Sequence, residues 1–309
     1  MSFKLTREGA YGRVSVLIAK SPNLALLSDI VKSSEPADIQ TAISRGIVKP
    51  AYSVLLQTKT LGDAEDVVYN FYRSLFSELE SFMPLPYNSY VKRFIEIFDL
   101  DKIASVALSA ERRKLELKYF MGCLAPLVEY LIHAKKPPKE FSPYISCLGV
   151  SGGQSVLDTV RCLIKVYLER VVDILSSVAR LEPVENSRRV FYVFSLLRFY
   201  RYVVNSRLLK EMCDVELKDF AKRVNTPSKY IQIAVEVAEK LEKHVKGDPT
   251  LLTVHELKAV YELLKHLLYT PHSLIDRLTY LLVHKYYEVP FIRYLALHKY
   301  IGGDRALTV

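Results

Sequence analysis

Asp63-Ala64-Glu65-Asp66-Val67-Val68-Tyr69-Asn70-Phe71-Tyr72-Arg73-Ser74-Leu75-Phe76-Ser77-Glu78-Leu79-Glu80-Ser81-Phe82 is the stretch that decides the fold class. Val67, Val68, Phe71, Leu75, Leu79 and Phe82 recur at helical spacing, Asp63 places a carboxylate at the positive end of the helix dipole, and Pro84 stops the run. The pattern predicts an amphipathic helix over 63–82.

The same logic extends in both directions. Before it, Ser34-Glu35-Pro36-Ala37-Asp38 supplies a cap, an early proline and two acids, and Gly46 supplies a stop, which predicts a short helix over about 35–45. After it, helices are predicted near 88–108, 111–134, 154–180, 187–212, 227–246, 253–268, 273–287 and 289–301. Pro137-Pro138, Glu182-Pro183, Gly247-Asp248-Pro249 and Thr270-Pro271 break them. No strand pattern runs longer than a few residues, so the expected class is all-α.

Composition agrees. The chain has 309 residues, half of them hydrophobic, with only 11 Gly against 14 Pro. It is long enough to bury a sizeable core, and it lacks the glycine-punctuated turns of a β-sandwich or nucleotide-binding sheet. Lys and Arg exceed Asp and Glu by 43 to 34, a net charge of +9. That balance favours anionic partners such as nucleic acid, lipid headgroups or an acidic subunit without choosing among them. Basic residues alternate with acids in segments such as Glu111-Arg112-Arg113-Lys114-Leu115-Glu116, so much of the charge reads as solvated helix face.

Met1-Ser2-Phe3-Lys4 does not open like a signal peptide, and no run of about 18 apolar residues is present. A cytoplasmic protein that does not span the membrane is expected. The cysteines Cys123, Cys147, Cys162 and Cys213 form no C-x-x-C pair, and free thiols are the expectation. Four glutamines and no Trp hint at a thermophilic source.

Candidate chemistry is mostly discarded. Gly149-Val150-Ser151-Gly152-Gly153 matches the nucleophile elbow formally, but the elbow needs a buried strand before it, so a glycine-rich helix start is the preferred reading. His255-Glu256-Leu257-Lys258-Ala259 begins like a zinc-protease helix, yet Ala259 stands where the second ligand is required. His266 is three turns from His255. No phosphate-cradling loop or paired-acid box is present. Neither a catalytic centre, a cofactor nor a metal is expected.

Three aromatic-rich helices place Phe94, Phe194 and Tyr294 100 residues apart. The spacing suggests three similar helical units, 1–112, 113–212 and 213–309, with breaks near 109–135 and 212–226.

Read in order, several segments resemble a known family. Ala10-Tyr11-Gly12-Arg13-Val14, the helix pair ending in Asp38-Ile39-Gln40-Thr41-Ala42-Ile43, Phe98-Asp99-Leu100-Asp101-Lys102-Ile103 with Leu108-Ser109-Ala110, and Val289-Pro290-Phe291-Ile292-Arg293-Tyr294-Leu295 are together similar to the C subunit of archaeal A-type rotary ATPases, related to the d subunit of V-type enzymes. Asp99 matches an Asp-x-x-Asn-Leu segment of that family, and Lys102 replaces its Asn. Ala296-Leu297-His298-Lys299 and Gly302-Gly303-Asp304-Arg305 depart from the family's final helix. The resemblance implies a funnel of three helical domains in the central stalk of a rotary ion-transporting ATPase. Such a subunit is seated peripherally on the cytoplasmic face of the membrane ring, transmits torque and catalyses nothing.

Two other readings stay open. One is a basic helical nucleic-acid-binding protein related to replication, with an iron–sulfur cluster on Cys123, Cys147, Cys162 and Cys213. The other is an acyl hydrolase using Ser151. For partner binding, Arg198 and Arg201 are neighbours on one helical face, with Arg207 and Lys210 further along. If Leu197, Tyr200 and Val204 pack inward, the two guanidinium groups project together toward an acidic partner, a stalk subunit or the headgroup layer.

Overall fold

A computed structural model describes residues 4–32, 38–108, 120–148, 156–208, 217–245 and 252–301. These residues form helices and contain no strand. The order is α1 (Arg7–Lys20), α2 (Leu24–Lys32), α3 (Ile39–Ser44), a 3-10 turn (Pro50–Leu56), α4 (Leu61–Phe82), α5 (Tyr87–Phe94), α6 (Ile97–Leu108), α7 (Ala125–His133), a 3-10 turn (Lys139–Phe141), α8 (Ser142–Leu148), α9 (Val156–Val178), α10 (Glu185–Leu208), α11 (Leu217–Arg223), α12 (Ser228–Val245), α13 (Leu252–Tyr269) and α14 (Leu274–Ile301).

Local chemistry explains several boundaries. Thr60 caps α4: its Oγ accepts from the Asp63 N–H at 3.2 Å while Asp63 accepts from the Thr60 N–H at 3.1 Å. This is a reciprocal capping box with Asp in the usual Glu position. Asp38 caps α3 through the Thr41 N–H at 2.7 Å, and that bond holds its carboxyl below the usual range. Gly46, at φ +70°, ends the turn that follows.

The helix expected over 88–108 divides at Ile95–Glu96 into α5 and α6. Tyr167 stabilises the break by donating its hydroxyl to the Phe94 carbonyl at 3.0 Å. The helices expected over 273–287 and 289–301 instead form one, α14, with Pro290 inside it. Proline removes one ladder donor, but the segment is packed on nearly all sides, and that packing outweighs the lost bond.

α14 is the organising element. It is 28 residues long, roughly 40 Å at helical rise, and packs against α1, α2, α3, α4, α5, α10 and α13. The buried apolar residues form one cluster running from Ala10 to Ala296. The blocks 1–112, 113–212 and 213–309 therefore do not stand apart on separate cores. Phe94 and Phe194 stack on each other at 5.8 Å, and Phe194 meets Tyr286 edge-on at 5.0 Å. Tyr294 lies two helical turns beyond Tyr287 on α14. Two of the three spaced aromatics are thus in direct contact within one core.

The stretch Arg7–Val31 has the length and apolarity of a membrane span. It folds as two helices, α1 and α2, interrupted at Ser21–Asn23, and both pack on α14.

Candidate functional site

Arg198 does not reach the surface. Every residue from Val190 to Tyr200 is buried, so this part of α10 has no solvent face, and the Arg198 side chain is fully enclosed. It forms an ion pair with Glu256 of α13 and donates to the Tyr286 hydroxyl at 2.7 Å. Tyr287 donates its hydroxyl to Glu256 at 2.6 Å. The guanidinium also lies over the rings of Phe194 and Tyr286, at 5.0 and 4.8 Å. The expectation that Arg198 projects outward is corrected, because a helix apolar all round offers no outward side. Arg201 is half-buried, donates to Thr253 Oγ at 3.0 Å and sits 3.9 Å from Glu256. Arg207 belongs to α10, and Lys210 lies outside the described residues.

A second charged group is buried on α14. Glu288 accepts from the Tyr52 hydroxyl, from Tyr72 at 2.8 Å and from Lys285 at 2.7 Å, and His284 Nδ1 is 3.2 Å away without hydrogen-bond alignment. Burial alone raises a carboxyl pKa, but the Lys285 cation and His284 win and hold Glu288 down to about 2. Burial lowers the Lys285 pKa, and burial followed by the Glu288 charge raises those of Tyr52 and Tyr72. These are residue types that catalyse reactions elsewhere. Here Glu288 and Lys285 are enclosed, and both are hydrogen-bonded by their neighbours.

Two buried acids serve as caps from a distance. Glu182 accepts the first N–H groups of α14, Leu274 at 3.1 Å and Ile275 at 2.9 Å. Asp99 accepts the N–H groups of Met121 at 2.6 Å and Leu124 at 3.1 Å, at the entry to α7. Burial raises the Asp99 pKa against those bonds. Lys102 stands beside it, bonded to the Tyr69 hydroxyl, and burial lowers its pKa to about 8.

One open feature is a cleft of about 480 Å³ between α4, α5 and α7, reached by Arg73, Lys92, Arg93, Glu80, Glu140 and Cys123. Its charges are largely engaged. Arg93 bridges Glu96 and Glu140 at 2.8 and 3.0 Å, while Arg170 and Tyr144 hold Glu96 from behind at 3.1 and 2.7 Å. Burial pushes the Cys123 thiol well up, so it is protonated at neutral pH and a poor nucleophile. A neighbouring hollow of about 580 Å³ is lined by Lys135, Lys136, Pro137, Pro138 and Lys139.

Cys147 of α8 and Cys162 of α9 form a disulfide, which corrects the expectation of free thiols throughout. Cys123 is free and, like Cys162, only partly buried, whereas Cys213 lies outside the described residues. A cluster on all four cysteines loses two of its donors to this bond. The serine motif at 149–153 also lies outside the described residues. Among the described residues, no group of three or more His, Cys, Asp and Glu is placed to hold a metal ion.

Sequence reasoning missed the buried roles of Glu182, Glu256 and Glu288. A legible signal existed for one: Leu252, Glu256 and Val260 follow each other at four-residue steps on the buried face of α13. An acid in an apolar register implies a buried cation opposite.

No family model matches this chain, and no curated protein or solved structure matches it. The resemblance to rotary-ATPase subunits rests on the quoted segments alone.

Proposed function

We propose that the chain is a non-catalytic helical coupling protein, and specifically a central-stalk rotor subunit of an A/V-type ATPase that joins the stalk to the membrane ring. The observation that carries the mechanical part is the way the core is tied together. The buried pair of Arg198 with Glu256 joins α10 to α13 and, through the Tyr286 and Tyr287 hydroxyls, to α14, while Glu288 on α14, paired with Lys285 of the same helix, accepts from Tyr72 of α4, and α14 touches seven other helices. Helices that share one apolar core transmit force without bending at a joint, which is what a torque-bearing part requires. Buried pairs of this kind resist loosening, because opening one leaves a desolvated charge.

The particular machine rests on the sequence likeness. Asp99, the matched residue of the Asp-x-x-Asn-Leu segment, has a structural role consistent with it, since it caps the entry to α7. The basic balance suits a seat beside anionic headgroups and acidic subunits. The test is affinity purification of the tagged full chain from gently solubilised membranes of its own host. The expected result is co-purification of rotary-ATPase stalk and ring subunits. Recovery of nucleic-acid proteins instead, or of no ATPase subunit, would overturn the reading.

A further inference from the structure

The three most exposed large hydrophobic residues among the described ones are Tyr269 at 74%, Leu85 at 68% and Leu181 at 52%. They are 96 or 88 residues apart in sequence, yet bonds through their neighbours bring their turns to one end of the molecule. Leu5 N–H donates to Phe82 O at 3.0 Å, which ties the start of α1 to the 82–87 turn. Tyr87, at the end of that turn, lies beside Glu182 and Arg7. Glu182, next to Leu181, caps α14, and Asn186 donates to Thr270, next to Tyr269, at 3.0 Å. Tyr11 and His272 close the ring at 6.2 Å between centroids.

The segments that form this end carry the exposed cations Lys4, Arg7 and Arg180 against two exposed carboxylates, Glu8, which pairs with Arg7, and Glu185, which pairs with the exposed Lys229. Each apolar side chain sits on its own turn, with capping and polar residues between them. A protein partner needs a contiguous apolar patch with a polar rim. Separate apolar tips among cations fit a layer that accepts each one individually, with Tyr at the headgroup level and Lys and Arg against lipid phosphates.

We infer that this end of the molecule, through Leu85, Leu181, Tyr269 and the cations around them, docks peripherally on an anionic membrane surface. The inference rests on the membrane-seated part of the function proposed above and names the surface responsible, but it requires no ATPase subunit. That makes the two separable by experiment.

The test is flotation of the purified full chain with vesicles of phosphatidylcholine plus phosphatidylglycerol, and with phosphatidylcholine alone, across a salt series. Binding is expected to the anionic vesicles and to weaken with salt. The triple variant Leu85→Ser/Leu181→Ser/Tyr269→Ser and the double variant Arg7→Glu/Arg180→Glu should each weaken it by about tenfold or more. A control pair outside these turns, Val16→Ser on α1 with Leu26→Ser on α2, removes exposed apolar side chains and should leave binding unchanged, with circular dichroism confirming that every variant is folded. Absence of binding to anionic vesicles, undiminished binding by the triple variant, or an equal loss in the control pair would overturn the inference. Vesicle binding with no ATPase subunit recovered from native membranes would leave the inference standing and sink the rotor reading.

Discussion

Arg198 on α10 and Glu256 on α13 meet with side-chain exposures of 0% and 1%, sealed by the hydroxyls of Tyr286 and Tyr287. Glu256→Gln would strand the guanidinium in the core, and removing one partner of such a pair costs about 3–5 kcal/mol. Replacing both, Arg198→Met with Glu256→Leu, should recover most of that loss, because the desolvated charges disappear together. Urea denaturation of Arg198→Met, Glu256→Leu and the double gives the coupling. Single-variant costs below about 1 kcal/mol would mark the pair as effectively solvated and contradict its burial.

The same pair shows where the sequence was readable. Helix positions followed from apolar period, capping residues and prolines, as at Thr60–Asp63 and Asp38, because those are local forces. Arg198 was misplaced because its face was inferred from a few residues, when Phe191, Tyr192, Val193 and Phe194 already left the helix without a polar side. Whether Pro290 ends a helix, and which distant acid caps α14, are decided by packing between segments far apart in sequence. Periodicity does not report that. The cleft was illegible for the same reason, since Arg73 and Arg93 come from separate helices and Cys123 from the turn before α7.

Glu182 offers a test of long-range capping. Its carboxylate accepts the Leu274 and Ile275 N–H groups, both from the first turn of α14. Glu182→Ala would leave both donors without this partner and should cost about 1–2 kcal/mol, at the upper end of capping effects. Glu182→Gln keeps one acceptor oxygen and should cost less. Thermal unfolding would order the three proteins, and equal midpoints for all three would refute the role.

Acid sensitivity should trace in part to Glu288. Its folded pKa is held near 2, below the ordinary carboxylate value of 4.5, by Lys285 and His284 against the effect of burial. A depressed folded pKa means the unfolded chain binds the proton first as pH falls. The contribution is therefore fully present above about pH 4.5 and is lost as pH drops toward about 2. Glu288→Gln should be less stable at neutral pH and show a shallower decline across that window. A pH profile parallel to the parent's would show that Glu288 titrates normally.

The Cys147–Cys162 bond ties α8 to α9 across a loop of 15 residues in sequence, and the two helices also pack directly. Closing a loop of that length restricts the unfolded chain and is worth about 3 kcal/mol in the chain-entropy picture. Denatured protein kept oxidised should therefore expose two fewer titratable thiols than reduced protein. Reduction should also lower the unfolding midpoint. Cys162→Ser should reproduce the lower midpoint and make the protein insensitive to reductant, because Cys147 then has lost this partner. Cys147 is buried at 1% while Cys162 is partly exposed, so reductant is expected to reach the bond from the α9 side without prior unfolding. An equal thiol count with and without reductant would show that the bond does not form. An unchanged midpoint on reduction would show that direct packing of α8 on α9 already supplies the constraint.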